Sequence, residues 1–197
     1  MKNPAAAADA VRAQLDGLRA GQSLELLREL HILTREGRIN QDSRRKLKQV
    51  MHLYRFIEEL LRELPPDADF HIVDHGAGKS YLGFVLYDLF CRVAGQGHVW
   101  GVETRAELVE KSQALAARLG FARMHFMQLS AADAAQSAAL PPEVAMVTAL
   151  HACDTATDDA IDFALRRQAR FVVLVPCCQA EIAACLRQGK ALSLSRT

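Results

Sequence analysis

Two acids and two glycines in this sequence have the order of a nucleoside-binding turn. The stretch VDHGAGKS places Asp74 before Gly76 and Gly78, and a later apolar run, GHVWGVE, ends in Glu103. Glycines let a backbone approach a ligand closely, and a carboxylate before them can accept a hydrogen bond from a charged amino group. A second carboxylate at the end of the next strand can accept both hydroxyls of a ribose. The spacing predicts a site for a ligand that carries both groups.

Two phosphate-binding turns are alternative interpretations, and the sequence lacks a glycine that each of them requires. A Walker A loop needs glycine five positions before Gly78, where Val73 stands. The dinucleotide fingerprint needs glycine at position 81, where the sequence has Tyr81. A tight strand-to-helix turn with a solvated acid remains the plain alternative.

A cluster of histidine, cysteine and acid follows the fourth and fifth apolar runs. It comprises His151, Cys153, Asp154, Cys177 and Cys178. Three functional roles are open: lining an acceptor pocket, supplying a general base through His151 or Asp154, or binding a soft metal. An inert core is the fourth reading, because cysteine is often a small buried hydrophobe. The C-x-x-C spacing of ordinary zinc sites is absent, so we predict no metal.

Basic and aromatic residues near the glycine turn are candidates for substrate and cofactor contact. The dense basic run RRKLK contains Arg44, Arg45 and Lys48, which form either a solvated helix face or a set of phosphate contacts. Lys79 could meet an anion, and Tyr81 packs either on an adenosine or in the core.

Alternating strands and helices are predicted for the chain after residue 65. The apolar runs are FHIVD (70–74), GHVWGVE (97–103), MHFMQL (124–129), VAMVTAL (144–150) and FVVLVP (171–176). Segments with helical spacing lie between them, at 81–92, 105–119 and 155–167, and another follows at 179–187. Strands that are apolar throughout are buried on both sides. The pattern predicts an α/β fold with a mostly parallel sheet and helices on both faces.

Residues 1–64 are predicted to be a helical extension, and residues 65–197 a single domain. Helices are expected at 5–19 and 23–33, and a third carries the apolar stripe Leu47, Val50, Met51, Tyr54, Ile57 and Leu61. The polar stretch TREGRINQDS separates the second helix from the third, and Pro65-Pro66 ends the third.

Bulk composition points to a cytoplasmic protein without a membrane segment. The chain has 197 residues and a formal net charge of +1, so nucleic acid could bind only through a local basic patch. No apolar run approaches the roughly 20 residues of a membrane helix. The five cysteines fit reduced thiols, and the first residues make a poor signal peptide.

Three long stretches resemble the class I S-adenosylmethionine (SAM)-dependent methyltransferases. They are DHGAGKSYLGFVLYDLF, TALHACDTATDDAI and LVPCCQAEI, which match the marks D-x-G-x-G-K-S-Y-L, L-H-A-C-D-T-A-T-D and P-C-C-Q. In looser form they resemble the tRNA 2′-O-methyltransferases of the acceptor stem and the methyltransferase-like part of the glutathione S-transferase C-terminal-domain-containing protein. The resemblance covers roughly residues 45–182. It implies a Rossmann-like domain, SAM as cofactor and RNA, such as tRNA or rRNA, as methyl acceptor.

This sequence departs from the family pattern at the turn and at the end of the chain. Ala77 stands where bacterial relatives usually have cysteine, and His75 replaces a usually apolar residue. The family's sheet has seven strands, yet only ALSLSRT follows the stretch FVVLVPCCQAEIAACLRQGK. We expect strands six and seven to be missing or incomplete, leaving an open edge through which the protein could oligomerise. The alternatives are a catalytically impaired SAM- or RNA-binding module and a small-molecule methyltransferase.

Overall fold

The computed structural model describes residues 18–19, 21–150 and 155–175. The helices are α1 (Leu24–Glu29), α2 (Gln41–Leu61), α3 (Tyr81–Leu86), α4 (Arg92–Ala94), α5 (Ala106–Arg118), α6 (Ala131–Gln136) and α7 (Thr155–Arg166). A π-helical turn, Tyr87–Cys91, joins α3 to α4. The strands are β1 (His71–His75), β2 (His98–Glu103), β3 (Met124–Gln128), β4 (Met146–Ala149) and β5 (Phe171–Leu174).

The five strands form one parallel sheet in the order β3-β2-β1-β4-β5. The chain first builds outward from β1 through β2 to β3, then returns to the other side of β1 for β4. The strand order therefore reverses between β1 and β4, and ligands of open α/β sheets bind outside the carboxyl ends of the strands at such a point. Each of the five predicted strands is present, and the predicted Rossmann-like α/β fold is confirmed.

Helices cover both faces of the sheet and create two apolar cores. Ile72 and Val99 belong to the core that includes side chains of α1, α2, α3 and α5. Val73 and Val102 belong to the core that includes Phe163 of α7 and other side chains of α6 and α7. Neighbouring residues of a strand point to opposite faces, so each strand serves both cores.

Helix α2 attaches the N-terminal part of the chain to the sheet. Asn40 caps its first turn, because the side-chain oxygen accepts a 2.8 Å hydrogen bond from the backbone N–H of Ser43. The whole apolar stripe predicted for this helix is buried. It shares a core with Ile72 of the sheet. The division into two domains at residues 64 and 65 stays a prediction.

Helix α1 is shorter than the sequence predicts. A helix was expected over 23–33, but α1 ends at Glu29. The reason is His31, which adopts a left-handed φ of 55° that a helix cannot contain. The backbone N–H groups of Ile32 and Leu33 then turn back to the carbonyl of Leu27, which buries both apolar side chains.

A buried carboxylate in the π-helical turn fastens this N-terminal segment to the domain. Asp88 Oδ2 accepts a 2.8 Å hydrogen bond from the backbone N–H of Ser23, and Asp88 Oδ1 forms an ion pair with Arg92 Nη2 at 2.8 Å. The same Arg92 nitrogen donates to the backbone oxygen of Gly21 at 2.9 Å. Asp88 is fully buried, so its charge depends on partners such as these for stabilisation.

Several predictions concern residues outside the described part of the chain. They are the helices expected at 5–19 and 179–187 and the expectation that strands six and seven are missing or incomplete. Within the described residues, no helix combines the length and apolar character of a membrane span.

Candidate functional site

The glycine turn after β1 crosses the end of β2. Gly76 and Gly78 have φ values of 63° and 58°, in the left-handed region that side chains with a Cβ disfavour. Between them, the backbone N–H of Ala77 donates a 3.0 Å hydrogen bond to the carbonyl of Val102. This hydrogen bond holds the glycine turn directly beside Glu103, the residue after Val102.

Glu103 meets the turn through a hydrogen bond. The backbone N–H of Gly78 donates to Glu103 Oε2 at 2.8 Å. Oε1 accepts from the backbone N–H of Arg105 at 3.1 Å, and the Arg105 side chain donates to both oxygens. The structure therefore brings together the glycine turn and Glu103, as the sequence predicts.

Glu103 stays ionised despite its burial. Burial on its own would raise the pKa of this carboxyl. The hydrogen bonds from the Arg105 side chain, the Arg105 backbone and the Gly78 backbone outweigh that effect and lower the pKa to about 2. At neutral pH the site presents a full carboxylate, which accepts hydrogen bonds and donates none.

Asp74 is buried at the point where the strand order reverses. Its Oδ1 accepts a 2.6 Å hydrogen bond from the hydroxyl of Thr148, its neighbour on β4. Burial raises the pKa of Asp74 to about 7, and the hydrogen bond from Thr148 acts in the opposite direction without offsetting it. The carboxyl can therefore gain or lose a proton near neutral pH.

A cavity of about 450 Å³ opens beside Glu103 at the carboxyl ends of the first three strands. Its lining residues are His75, Gly76, Gly78, Val102, Glu103, Thr104, Arg105, Leu129, Ala131 and Ala156. Leu129 and the two alanines provide apolar walls, while Glu103 and the glycine turn provide hydrogen-bonding groups. An apolar slot with a carboxylate at its side suits a nucleoside, whose base is flat and whose ribose carries two hydroxyls.

His75 lines this cavity, and its complete burial is unusual for a polar side chain. Its side chain is fully buried, and neither ring nitrogen has a hydrogen-bond partner in the part of the chain that the structure describes. The ring packs edge-on against Phe163 at a centroid distance of 4.6 Å. Burial lowers the pKa of His75 to about 4, so the imidazole is neutral at pH 7.

The residues expected to bind substrate lie on the outer surface. Arg44, Arg45 and Lys48 are exposed on α2, and Lys79 is exposed directly after the glycine turn. Lys79 also lines a groove of about 360 Å³ whose walls come from the α1 region and from α5.

Tyr81 was expected among the cofactor contacts, but the structure gives it another partner. Its hydroxyl donates a 3.1 Å hydrogen bond to the backbone oxygen of Leu30, and Lys46 Nζ lies 5.9 Å from the centre of its ring. Tyr81 begins α3 and is absent from the cavity lining. The start of α3 therefore directs this side chain toward the N-terminal helices, and the cofactor contact expected of Tyr81 stays a prediction.

The cluster expected to face the methyl acceptor falls outside the described residues. It comprises His151, Cys153, Asp154, Cys177 and Cys178. The adjoining elements are described: β4 ends at Ala149, and α7 begins at Thr155 with Ala156 at the cavity wall. The roles assigned to the cluster stay predictions.

Three residues of the site did not emerge as candidates from the sequence. Thr148 had a visible signal, since it is the only polar residue in the apolar run VAMVTAL. Arg105 had a weaker one, because arginine is a poor residue for the start of a helix. His75 was noted as a departure from the family pattern, yet its burial beside the cavity depends on the packing of α7.

Comparison with known proteins connects this geometry to a family. The family model described as a methyltransferase domain matches residues 45–185. A search of the curated proteins found no match to this sequence.

Two of the solved methyltransferases that this chain matches share its fold at low sequence identity. Magnesium protoporphyrin IX methyltransferase ChlM from Synechocystis PCC 6803, solved with bound SAH, is 15% identical, with a TM-score of 0.50 over 79% of this chain and 67% of its own. The CurJ carbon methyltransferase is 13% identical, with a TM-score of 0.50 over 60% of this chain and 31% of its own. YcgJ from Bacillus subtilis is 20% identical, with a TM-score of 0.42 over 58% and 44%.

The chain spans about half the length of several solved chains that it matches. The likenesses to ChlM and to the CurJ methyltransferase support the fold, and the family model covers most of the sequence. The predictions of a transferase enzyme and of SAM as its cofactor are confirmed at the level of the family. The chain belongs to the methyltransferase-domain family.

Proposed function

We propose that this protein transfers a methyl group from SAM to RNA. The observation that carries the cofactor half of the proposal is the 2.8 Å hydrogen bond between the Gly78 N–H and Glu103 Oε2. It joins the glycine turn and the acid into one ligand-binding edge. Glu103 would accept the ribose hydroxyls, and Asp74 would accept a hydrogen bond from the charged amino end of the cofactor.

SAM supplies an electrophilic methyl group on a positively charged sulfur. The chain's own residues then have to hold the acceptor atom in line with the carbon–sulfur bond, which breaks as the bond from the methyl carbon to the acceptor forms. An acceptor hydroxyl also loses a proton. His151 or Asp154 would take that proton, and Cys153, Cys177 and Cys178 would line the acceptor pocket.

A basic surface next to the cofactor turn supports RNA as the acceptor. Arg44, Arg45 and Lys48 are exposed on one helix, and Lys46 lies over Tyr81, which begins the helix after the glycine turn. A protein of net charge +1 has little general attraction for RNA, so a local cluster of cations is the feature that would bind phosphates.

The groove that contains Lys79 extends this basic surface. Lys111 and Arg118 of α5 and His31 also line it, together with Glu29, which pairs with Arg118. Leu30 joins the two regions, because it lines the groove and accepts the hydrogen bond from Tyr81. A phosphate backbone could thus follow cations from α2 to the edge of the cofactor cavity.

Charge reversal on α2 tests the RNA half of the proposal. At low salt, the variant Arg44→Glu/Arg45→Glu should bind a total tRNA preparation more weakly by ~tenfold or more, because two phosphate contacts become repulsive. It should also show a shallower salt dependence. Arg166→Glu/Arg170→Glu is the matched control, since it makes the same charge change near β5. Equal RNA affinity of the two variants would contradict the proposal.

Methyl transfer itself is tested with radiolabelled SAM and total RNA. Label in the RNA fraction would support an RNA methyltransferase. Binding of S-adenosylhomocysteine (SAH), the cofactor product, without label in RNA would instead favour a cofactor-binding module or a small-molecule methyltransferase.

A further inference from the structure

Arg105 occupies a position that the local rules of helix formation disfavour. It is the N-cap residue of α5, with φ −82° and ψ 106°, and its side chain makes no capping hydrogen bond. Serine, threonine, asparagine and aspartate are preferred there because their side-chain oxygens accept backbone N–H groups. A cation at this end also opposes the positive pole of the helix dipole. Residues that break local rules in this way are often functional.

The Arg105 side chain instead folds back onto Glu103 in a two-point pair. Nε donates to Glu103 Oε1 at 3.0 Å, and Nη2 donates to Oε2 at 3.2 Å. Two parallel N–H groups therefore meet the two oxygens of one carboxylate. Although Glu103 is buried, the Arg105 side chain is 61% exposed.

In the free protein, the Glu103 carboxylate can accept few further hydrogen bonds. Each oxygen accepts about two hydrogen bonds. Backbone N–H groups already take one position on each oxygen, from Gly78 on Oε2 and from Arg105 itself on Oε1. The guanidinium takes the second position on each, and the exposed Thr104 hydroxyl adds a 3.2 Å contact to Oε1. A ribose has to replace some of these donors to reach Glu103.

We propose that the Arg105 guanidinium occupies the ribose subsite of the free protein and is displaced by the two hydroxyls of the cofactor. This inference rests on the proposed function. Both groups are two-point donors to the same pair of oxygens, so they compete for one place. The backbone donors from Gly78 and Arg105 remain and keep the carboxylate oriented.

Displacing the Arg105 guanidinium costs little free energy, because the Arg105 side chain of the ion pair is largely exposed to solvent. Exposed ion pairs contribute little to stability, and salt weakens them further. Arg105 therefore weakens cofactor binding only modestly, by the cost of releasing one largely exposed ion pair.

The test compares SAH affinity of the full chain and the variant Arg105→Ser by calorimetry. Serine removes the competing donors and is a favoured N-cap residue, so the variant should fold well. We expect SAH to bind the variant about two- to tenfold more tightly. Between about 0.02 M and 0.5 M NaCl, affinity of the parent protein should rise relative to affinity of the variant, because only the parent has the competing ion pair that salt screens.

Arg166→Ser is the matched control, because Arg166 is also an exposed arginine in an ion pair, which it forms with Asp162 of α7. It should leave SAH affinity unchanged. Weaker SAH binding by Arg105→Ser would overturn the inference and make Arg105 a cofactor ligand, and unchanged, salt-independent affinity would also overturn it. If SAH bound neither the parent protein nor Arg105→Ser, the proposed function would fail and the inference with it.

Discussion

Thr148 donates a 2.6 Å hydrogen bond to Oδ1 of Asp74 across the boundary between β1 and β4. Both side chains are excluded from solvent. The pair lies where the strand order reverses, and Asp74 is buried there behind the residues that line the cavity, so it does not belong to a solvated turn. Burial raises the pKa of Asp74 from 3.8 to about 7, which makes its charge responsive near neutral pH.

Cofactor affinity should therefore depend on pH. SAH carries a positively charged amino end, which favours the ionised form of Asp74. As pH rises from about 5.5 to 7.5, SAH affinity should increase by up to tenfold per pH unit and level off above the pKa of Asp74. Calorimetry across this range measures the effect. Asp74→Asn should bind SAH with a flat pH profile, and a pH-dependent profile in that variant would contradict the assignment.

Replacing Thr148 by valine should destabilise the fold more at pH 8 than at pH 5. Because the folded-state pKa of Asp74 is raised, its contribution to stability is complete below pH 3.8 and is lost as pH rises through about 7. At pH 8 the carboxylate needs the hydroxyl, so Thr148→Val should cost about 1.5–3 kcal/mol in the free energy of unfolding. Urea denaturation at the two pH values tests this. The same loss at both values would argue against a charge-dependent bond.

Asp88→Asn should loosen the attachment of the N-terminal helices. The substitution removes the buried charge that faces Arg92 while retaining an oxygen for the Ser23 N–H. We expect the free energy of unfolding to fall by about 2 kcal/mol. Asp162→Asn is the control, because Asp162 forms an exposed pair with Arg166 and should change stability by less than about 0.5 kcal/mol. Similar losses in both variants would show that burial of Asp88 is unimportant.

His75→Leu should stabilise the free protein. Leucine removes two buried nitrogens that lack partners among the described residues, a gain of about 1 kcal/mol. The pKa of His75 is lowered from 6.5 to about 4, so the histidine costs stability as pH falls below 6.5. The gain should thus be larger at pH 5 than at pH 7. His52→Leu, at an exposed position of α2, should leave stability nearly unchanged. A destabilised His75→Leu protein would mean that the imidazole has a partner that leucine cannot replace.

The apolar runs predicted the strands, because strands covered on both faces of a sheet are apolar at most positions. Acids at the ends of two runs mark one edge of a parallel sheet. The contact between Gly78 and Glu103 follows from that edge. The end of α1 could not be predicted from the sequence, because the left-handed backbone of His31 depends on how Ile32 and Leu33 pack into the core.

Side-chain partners across strands required the three-dimensional structure. Asp74 and His75 are neighbours in sequence, yet alternation along β1 sends them to opposite faces of the sheet. Thr148 becomes the partner of Asp74 only through the strand order. Tyr81 follows the glycine turn closely, but packing of α3 against the N-terminal helices takes it away from the cavity.

Calorimetric titration of Glu103→Gln with SAH tests the central claim most directly. Glutamine keeps the size of the side chain but loses the charge and one acceptor, so SAH affinity should fall at least tenfold relative to the parent protein (about 1.4 kcal/mol or more). Glu107→Gln, at an exposed position of α5, should bind SAH as the parent does. Parent-like SAH affinity in Glu103→Gln would contradict the account, because the carboxylate beside the glycine turn would then not hold the ribose.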